Sequence, residues 1–143
     1  MSEAGFDAAV EAFRDAQIAF LNGDPEPALG LMSRREDVTL ANPLGPPQRG
    51  WADVATATRH AAANFHGGSI RFEEVSRYAT ADLGYVLELE RVEVRMAPGA
   101  AMTPISLRVT MVFRREDDTW KVAHRHADPT TTAKEVTSLV EQS

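Results

Sequence analysis

The spacing between apolar residues changes once along this chain, and that change limits the folds that it can adopt. Before residue 66, the residues of one predicted face recur every three or four positions, as Phe6, Val10, Phe13, Gln17 and Phe20 do, and this spacing predicts amphipathic helices. From Ile70 onward the repeat shortens toward two, which predicts strands. Helices first and strands afterwards indicate an α+β fold with an antiparallel sheet.

Helices are predicted over about residues 3–22, over a short segment after Asp24, and over about residues 51–65. Gly23 follows the first helix, where a left-handed residue commonly ends one. The carboxylate of Asp24 can accept hydrogen bonds from the first turn of the second helix. A brief strand at 38–41 and an irregular loop at 42–50, which holds three prolines, precede the third helix.

Long strands are predicted over about residues 70–79, 83–96, 105–115 and 120–128, the last two joined by a tight turn at 116–119. In the second of these strands, apolar residues occupy odd positions from Leu83 to Leu89 and even positions from Val92 onward. An extra residue near Glu90 or Arg91, a β-bulge, would keep both halves facing the core. Strands of this length are expected to twist and curl around the helices.

Composition narrows the classes of function. A length of 143 residues predicts a single domain over residues 1–143, in which the weakly patterned residues 129–143 could form a frayed tail. The absence of cysteine excludes disulfides and zinc–thiolate sites, which favours the cytoplasm. A net charge of −6 argues against nucleic-acid binding. No apolar run is long enough for a membrane span, and no secretory signal is visible.

The order of these elements, together with three motifs, resembles the nuclear-transport-factor-2-like superfamily over about residues 6–128. The similarity points to the branch of SnoaL-like polyketide cyclases and ketosteroid isomerase relatives. The motifs are FLNGD at 20–24, ANPLG at 41–45 followed by RGW at 49–51, and TWKVAHRHAD at 119–128. The resemblance implies a cone-shaped half-barrel in which three N-terminal helices pack in a strongly curved antiparallel sheet. It also implies a hydrophobic pocket at the wide end and a homodimer built through the sheet.

Two positions that the isomerase uses are changed here. Its aspartate base follows the first strand, where this chain has Asn42, and Ala16 stands near the position of its tyrosine. An amide cannot accept a proton at neutral pH, so Asn42 could orient a ligand's carbonyl or hydroxyl but could not serve as a base.

The last strand carries the strongest candidates for catalysis. Simple alternation places Trp120, Val122, His124, His126 and Asp128 on one face. Asp128 could fix one tautomer of His126 and make it a general acid or base near neutral pH, with His124 beside it. Alternatively, the histidines pack at a subunit interface and Asp128 starts a turn. A His-x-His pair without a third ligand at a recognisable spacing does not predict a metal site.

Two arginines are candidate ligand-binding residues because they alternate with apolar neighbours. If Arg108 or Arg125 faces inward, it would be a buried cation that requires an anionic ligand or a carboxylate such as Glu88 or Glu90. The alternative for each is a cross-strand ion pair on an exposed face.

Three further side chains could reach a ligand. Tyr85 lies among leucines on what we predict to be the concave half of its strand, where its hydroxyl would either orient a ligand or bond to the backbone. His60 could point into the cone or remain on the helix surface. Trp51 is expected in the core or in a lid, and loop 42–50 would act as a gate.

Two function classes therefore remain. The first is a cofactor-free cyclase, isomerase or dehydratase that acts on a hydrophobic small molecule by acid–base chemistry. The alternative is a noncatalytic dimeric ligand-binding or assembly module. Both are expected to form homodimers and to need neither a metal nor another cofactor.

Overall fold

The computed structural model describes residues 2–141, and within them three α-helices precede the long strands. Helix α1 spans Ser2–Leu21, α2 spans Glu26–Gly30 and α3 spans Trp51–Ala62. Gly23 ends α1 as predicted, with φ at 85°. The Oδ1 atom of Asp24 accepts a hydrogen bond from the Glu26 amide at 3.1 Å, so Asp24 also has its predicted role at the start of α2.

The described residues form six strands in one curved, unclosed sheet. The strands are β1 Thr39–Ala41, β2 Gln48–Arg49, β3 Gly68–Ala79, β4 Leu83–Val94, β5 Thr103–Glu116 and β6 Thr119–Asp128. Their order is β2-β1-β6-β5-β4-β3. The four long strands are antiparallel neighbours, as predicted, and Asp117 and Asp118 make the tight turn between β5 and β6 with positive φ angles.

The sheet differs from the prediction at the edge that is formed by its two short strands, β1 and β2. Strand β1 runs parallel to β6, so the sheet is mixed rather than wholly antiparallel. Part of the loop at 42–50 forms β2, which pairs with β1. These strands have three residues and two residues, too few for alternation to reveal their partners.

The predicted β-bulge near Glu90 or Arg91 is wrong. Strand β4 pairs with β5 without a shift from Leu83 to Val94, and its buried positions are the even ones throughout. Glu88 and Glu90 therefore point inward, and the odd leucines lie on the opposite face. The register shifts lie elsewhere, between Glu74 and Ser76 in β3 and where β5 meets β6.

Helix α1 lies in the concave, inner face of the sheet and supplies much of the core. The rings of Phe6 and Phe113 meet edge to face, with centroids 5.4 Å apart. Gly84 allows this contact, because a β-carbon there would lie 2.6 Å from the Phe6 ring. A smaller buried cluster forms around Leu21, Val92 and Val94. The fold is thus the expected α+β cone.

Beyond β6, residues 129–141 add only a short 3₁₀ helix at Val136–Leu139 to the described structure, and most of them are exposed. None of the helices in residues 2–141 combines the length and apolar character needed to cross a bilayer.

Candidate functional site

A cavity of about 350 Å³ opens between the helices and the inner face of the sheet. We call it the interior cavity. Its wall is mainly apolar and draws on both hydrophobic clusters. Its lining residues include Phe13, Gln17, Phe20, Asn42, Ala61 and Arg125. Leu44 and Met96 also line it and are largely exposed, so they mark its mouth.

Gln17 is the polar residue of α1 that faces this cavity. Its side chain is 6% exposed, and within residues 2–141 its amide makes no hydrogen bond to another protein group. It lies one helical turn after Phe13, in the stripe that packs against the sheet. A buried amide normally has a partner, so this one is available to a molecule in the cavity.

Arg125 brings a cation to the cavity wall. It is 8% exposed, and its Nη2 donates to both carboxylate oxygens of Glu90 at 3.1 and 3.2 Å. Its Nη1 lies 3.5 Å from the sulfur of Met111, and its guanidinium is 5.7 Å from the centre of the Phe13 ring. The structure thus places Arg125 inward with a carboxylate partner, the first of the two predicted alternatives.

A second buried ion pair lies on the same inner face. Glu88 Oε1 accepts hydrogen bonds from Arg14 at 2.6 and 3.0 Å. Glu88 Oε2 is buried without a partner among the described residues. Burial raises the pKa of Glu88, although Arg14 acts in the opposite direction. Arg14 also contacts Glu11 and Glu74, so the positive charge is shared among three carboxylates.

Asn42 and the loop after it border the cavity. Asn42 Oδ1 accepts a hydrogen bond from the Leu44 amide at 3.0 Å, which fixes the start of the loop in an Asx turn. Asn42 and Leu44 also line a second, open recess of about 270 Å³, together with the exposed His60. Whether the loop acts as a gate, as the sequence suggests, stays a prediction.

His124, His126 and Asp128 lie on the outer face of the sheet, away from the interior cavity. With Arg108 and Thr110 they line an open depression of about 440 Å³, which we call the outer recess. The predicted single face for all five even positions of β6 is wrong. The register shifts between Val112 and Phe113, so Trp120 and Val122 point inward whereas the three later residues point outward.

The outer recess contains a short chain of polar contacts. His126 Nε2 lies 3.1 Å from Asp128 Oδ2, and Arg108 Nη2 donates to the same oxygen at 2.8 Å. The hydrogen bonds from Arg108 lower the pKa of Asp128 to about 2. His124 Nδ1 lies 2.7 Å from Thr39 Oγ1, and burial followed by the neighbouring His126 lowers the pKa of His124. Arg108 therefore makes the cross-strand ion pair that was its second predicted alternative.

Tyr85 and Trp51 do not line the interior cavity. The prediction that Tyr85 faces the concave side is wrong, because the unbroken alternation of β4 places it on the outer face, 38% exposed. Its hydroxyl lies 3.4 Å from Ser76 Oγ. Trp51 begins α3 and stacks under Arg34, whose Cζ lies 4.3 Å from the ring centre.

A family model for the SnoaL-like domain matches residues 4–131. The chain belongs to this SnoaL-like family. No match to a curated protein was found.

Solved structures with the nuclear transport factor 2-like fold resemble this SnoaL-like domain. A Streptomyces avermitilis protein, provisionally named as a dehydratase, has a TM-score of 0.76, 22% identity, and coverage of 92% of this chain and 97% of its own. A ketosteroid isomerase-like protein from Erwinia carotovora atroseptica has a TM-score of 0.74, 18% identity, and coverage of 90% and 96%. A Salmonella enterica superfamily member has a TM-score of 0.77, 11% identity, and coverage of 93% and 94%.

Sequence reasoning missed one residue of this SnoaL-like domain that the cavity makes prominent. Gln17 interrupts an otherwise apolar helical stripe, and that interruption is the signal that could have found it. The sequence pattern predicts Glu90 only as a partner for an arginine. The predicted bulge left the inward direction of Glu90 undetermined.

Proposed function

We propose that this protein binds a hydrophobic small molecule in the interior cavity. The single observation that carries the proposal is the Gln17 amide, buried at an apolar cavity wall without a protein partner. The cavity volume of about 350 Å³ falls within the range of ligand pockets, about 300–1,000 Å³. Apolar walls with a few polar groups are typical of sites that bury a ligand and fix its orientation.

Filling the cavity with protein atoms tests this proposal. The uncharged dye N-phenyl-1-naphthylamine, which fluoresces in apolar surroundings, is titrated into the wild type and two variants. Ala61→Phe adds a ring to the cavity wall, and Ala52→Phe adds the same ring to the exposed side of α3. We expect Ala61→Phe to weaken dye binding by roughly tenfold or more and Ala52→Phe to leave it unchanged.

Circular dichroism of both variants establishes that they are folded. If a folded Ala61→Phe variant binds the dye as tightly as the wild type does, the dye occupies another place and the proposal is wrong.

The second candidate function is a cofactor-independent isomerase, cyclase or dehydratase. The observation that favours it is the Glu90 carboxylate, which does not itself line the cavity but is hydrogen-bonded to the cavity-lining Arg125, so this pair is the candidate for acid–base chemistry on a bound substrate. Two structural relatives are named as a dehydratase and as ketosteroid isomerase-like. The His126–Asp128 pair could act instead only on a substrate bound in the outer recess.

Conversion of a β,γ-unsaturated ketone to its conjugated isomer, followed by absorbance, separates these possibilities. Loss of turnover in Glu90→Gln would indicate chemistry in the cavity. Loss in Asp128→Asn would indicate chemistry in the outer recess. Absence of turnover in the wild type would exclude this isomerisation as a function of the protein and would leave the binding function.

We also propose that the outer face of the sheet joins two copies of the chain. Strand β4 presents Leu83, Tyr85, Leu87 and Leu89 on that face, and β5 and β6 present Arg108 and Asp128 beside them. An apolar patch next to charges of both signs is suited to a twofold interface, since each patch can meet its own copy. Exposed apolar side chains on a sheet commonly mark such interfaces.

Sedimentation at micromolar concentration tests the assembly. The wild type is expected to sediment as a dimer. The Leu87→Lys variant is expected to sediment as a monomer, because a dimer would bring one lysine from each copy together at the apolar patch. Ala52→Lys on α3 is the control and should remain dimeric. A monomeric wild type would contradict this part of the proposal.

A further inference from the structure

We infer that the cavity selects uncharged ligands with a hydrogen-bond-accepting oxygen, which Gln17 and Arg125 hold, and that Glu90 sets this selectivity by pairing with Arg125. The inference rests on the proposed binding function and adds the chemical class of the ligand and the residue that excludes anions.

Gln17 is the first hydrogen-bond donor at the cavity wall. Its amide offers two N–H donors and one acceptor oxygen, and none of them is used by the described residues. Once a ligand fills the cavity and excludes water, leaving this amide unpaired would cost about 1–3 kcal/mol. A ligand oxygen that accepts from the amide nitrogen removes this cost, whereas a pure hydrocarbon does not.

Arg125 is the second hydrogen-bond donor at the cavity wall. A guanidinium has five N–H donors, and Glu90 accepts from Nη2 alone. The Nε atom makes no side-chain hydrogen bond within the described residues. Arg125 and Gln17 both line the cavity, and both are placed beside Phe13: Arg125 lies over its ring and Gln17 is one helical turn away. Donors from two elements, β6 and α1, therefore line the same cavity, each near Phe13.

The positive charge of Arg125 is balanced within the protein. Glu90 is 1% exposed and lies 3.1 Å from Arg125, so the cation at the wall is already compensated. Glu88, two residues away on the same face, is likewise paired, with Arg14, so it leaves no free cation there either. A ligand carboxylate in this cavity would be a buried charge without a free partner, which is strongly unfavourable. The donors of Arg125 remain available to a neutral oxygen.

Aromatic side chains form another part of the cavity wall. Phe13, Phe20 and Phe65 line the cavity, and the rings of Phe20 and Phe65 lie 5.5 Å apart. Aromatic walls favour contact with flat or cyclic apolar groups. The expected ligand class is therefore a compact cyclic molecule with an oxygen acceptor at one end and no charge.

Three probes of matched shape test the inference: 2-acetylnaphthalene, which is uncharged with an acceptor oxygen, 2-ethylnaphthalene, which lacks the oxygen, and 2-naphthoate, which is anionic. Their dissociation constants are measured by displacement of N-phenyl-1-naphthylamine. In the wild type we expect the ketone to bind roughly tenfold more tightly than the hydrocarbon, and 2-naphthoate to bind most weakly.

Two variants assign these preferences to residues. Gln17→Leu should remove most of the preference for the ketone over the hydrocarbon while the hydrocarbon still binds. Glu90→Gln should strengthen 2-naphthoate binding by roughly tenfold or more, because it frees the charge of Arg125. The control is Glu73→Gln, which removes an outer-face carboxylate bonded to Arg91 and should change no probe affinity.

Equal wild-type affinity for the ketone and 2-naphthoate would overturn the inference without the use of any variant. Unchanged 2-naphthoate affinity in folded Glu90→Gln, or an unchanged ketone preference in folded Gln17→Leu, would also overturn it. In those cases, the proposed function would still stand if 2-ethylnaphthalene binds the wild type and does not bind the Ala61→Phe variant. Failure of all three probes and of the dye to bind would instead reject the proposed function itself.

Discussion

Glu88 is a carboxylic acid placed in the protein interior. Its side chain is fully buried, and one of its carboxylate oxygens has no partner among the described residues. Burial raises the pKa of this carboxyl despite the hydrogen bonds from Arg14. The folded protein therefore holds a proton at Glu88 more tightly than the unfolded chain does, and ionisation of Glu88 weakens folding.

The Glu88→Gln variant tests this effect through the pH dependence of the free energy of unfolding. A raised folded-state pKa means that the Glu88 contribution to stability is fully present below its unfolded pKa and is lost as pH rises through the folded pKa. Because of this loss, we expect the Glu88 contribution to the wild-type free energy of unfolding, measured with urea, to decrease as the pH rises above about 4. The Gln variant should lack it.

Glu74→Gln is the matched control for that experiment. Hydrogen bonds from Arg77 lower the pKa of Glu74, with a further contribution from Arg14. Its contribution to stability is therefore present above its unfolded pKa and is lost as pH falls through the folded pKa. If both variants shift the stability profile in the same direction, the contrast between the two environments is wrong.

At the level of elements, the contact between α1 and β4 depends on a missing side chain. A β-carbon at Gly84 would lie 2.6 Å from Phe6 and 3.0 Å from Ala79, closer than packed atoms approach. We predict that Gly84→Ala lowers the free energy of unfolding by roughly 1–3 kcal/mol, because the helix or the strand must shift. Urea denaturation measures this effect.

The control is Gly30→Ala, at the end of α2, where a β-carbon would meet nothing within 4 Å. Alanine favours helix over glycine, so this variant should be as stable as the wild type or slightly more stable. Equal stability of the Gly84 and Gly30 variants would contradict the packing described for α1 and β4.

The elements also show where sequence reasoning succeeds and where it stops. Long periodic segments such as α1 and β5 were predictable because one face of each is buried, and burial imposes a period. Strand β4 was misread because its inward face carries Glu88 and Glu90. They are tolerated there because arginines from α1 and β6 reach them, and local spacing contains no information about such distant partners. The face on which His124 lies was predicted wrongly for a related reason. The register shift between β5 and β6 depends on how the two strands pair, which local spacing does not reveal.

On the scale of the whole molecule, the sheet separates two regions with different chemistry. The inner face bears the apolar cavity with Gln17 and Arg125, and the outer face bears the leucines of β4 and the recess around His126 and Asp128. The candidate site was predictable only in part for this reason. The sequence indicated a pocket and its polar residues, but the side of the sheet on which each residue lies is a property of the folded strands.

This separation predicts that assembly and binding are independent. A monomeric Leu87→Lys variant should bind N-phenyl-1-naphthylamine with an affinity within about threefold of the wild type, because its substitution lies across the sheet from the cavity. Loss of dye binding in a folded monomer would mean that the second copy completes the site.

A crystal structure of the protein with 2-acetylnaphthalene tests the central claim most directly. We predict that the naphthalene rings lie in the interior cavity against Phe13 and that the ketone oxygen lies within about 3.2 Å of a nitrogen of Gln17 or Arg125. A cavity that holds only water, with the probe bound on the outer face, would contradict the account.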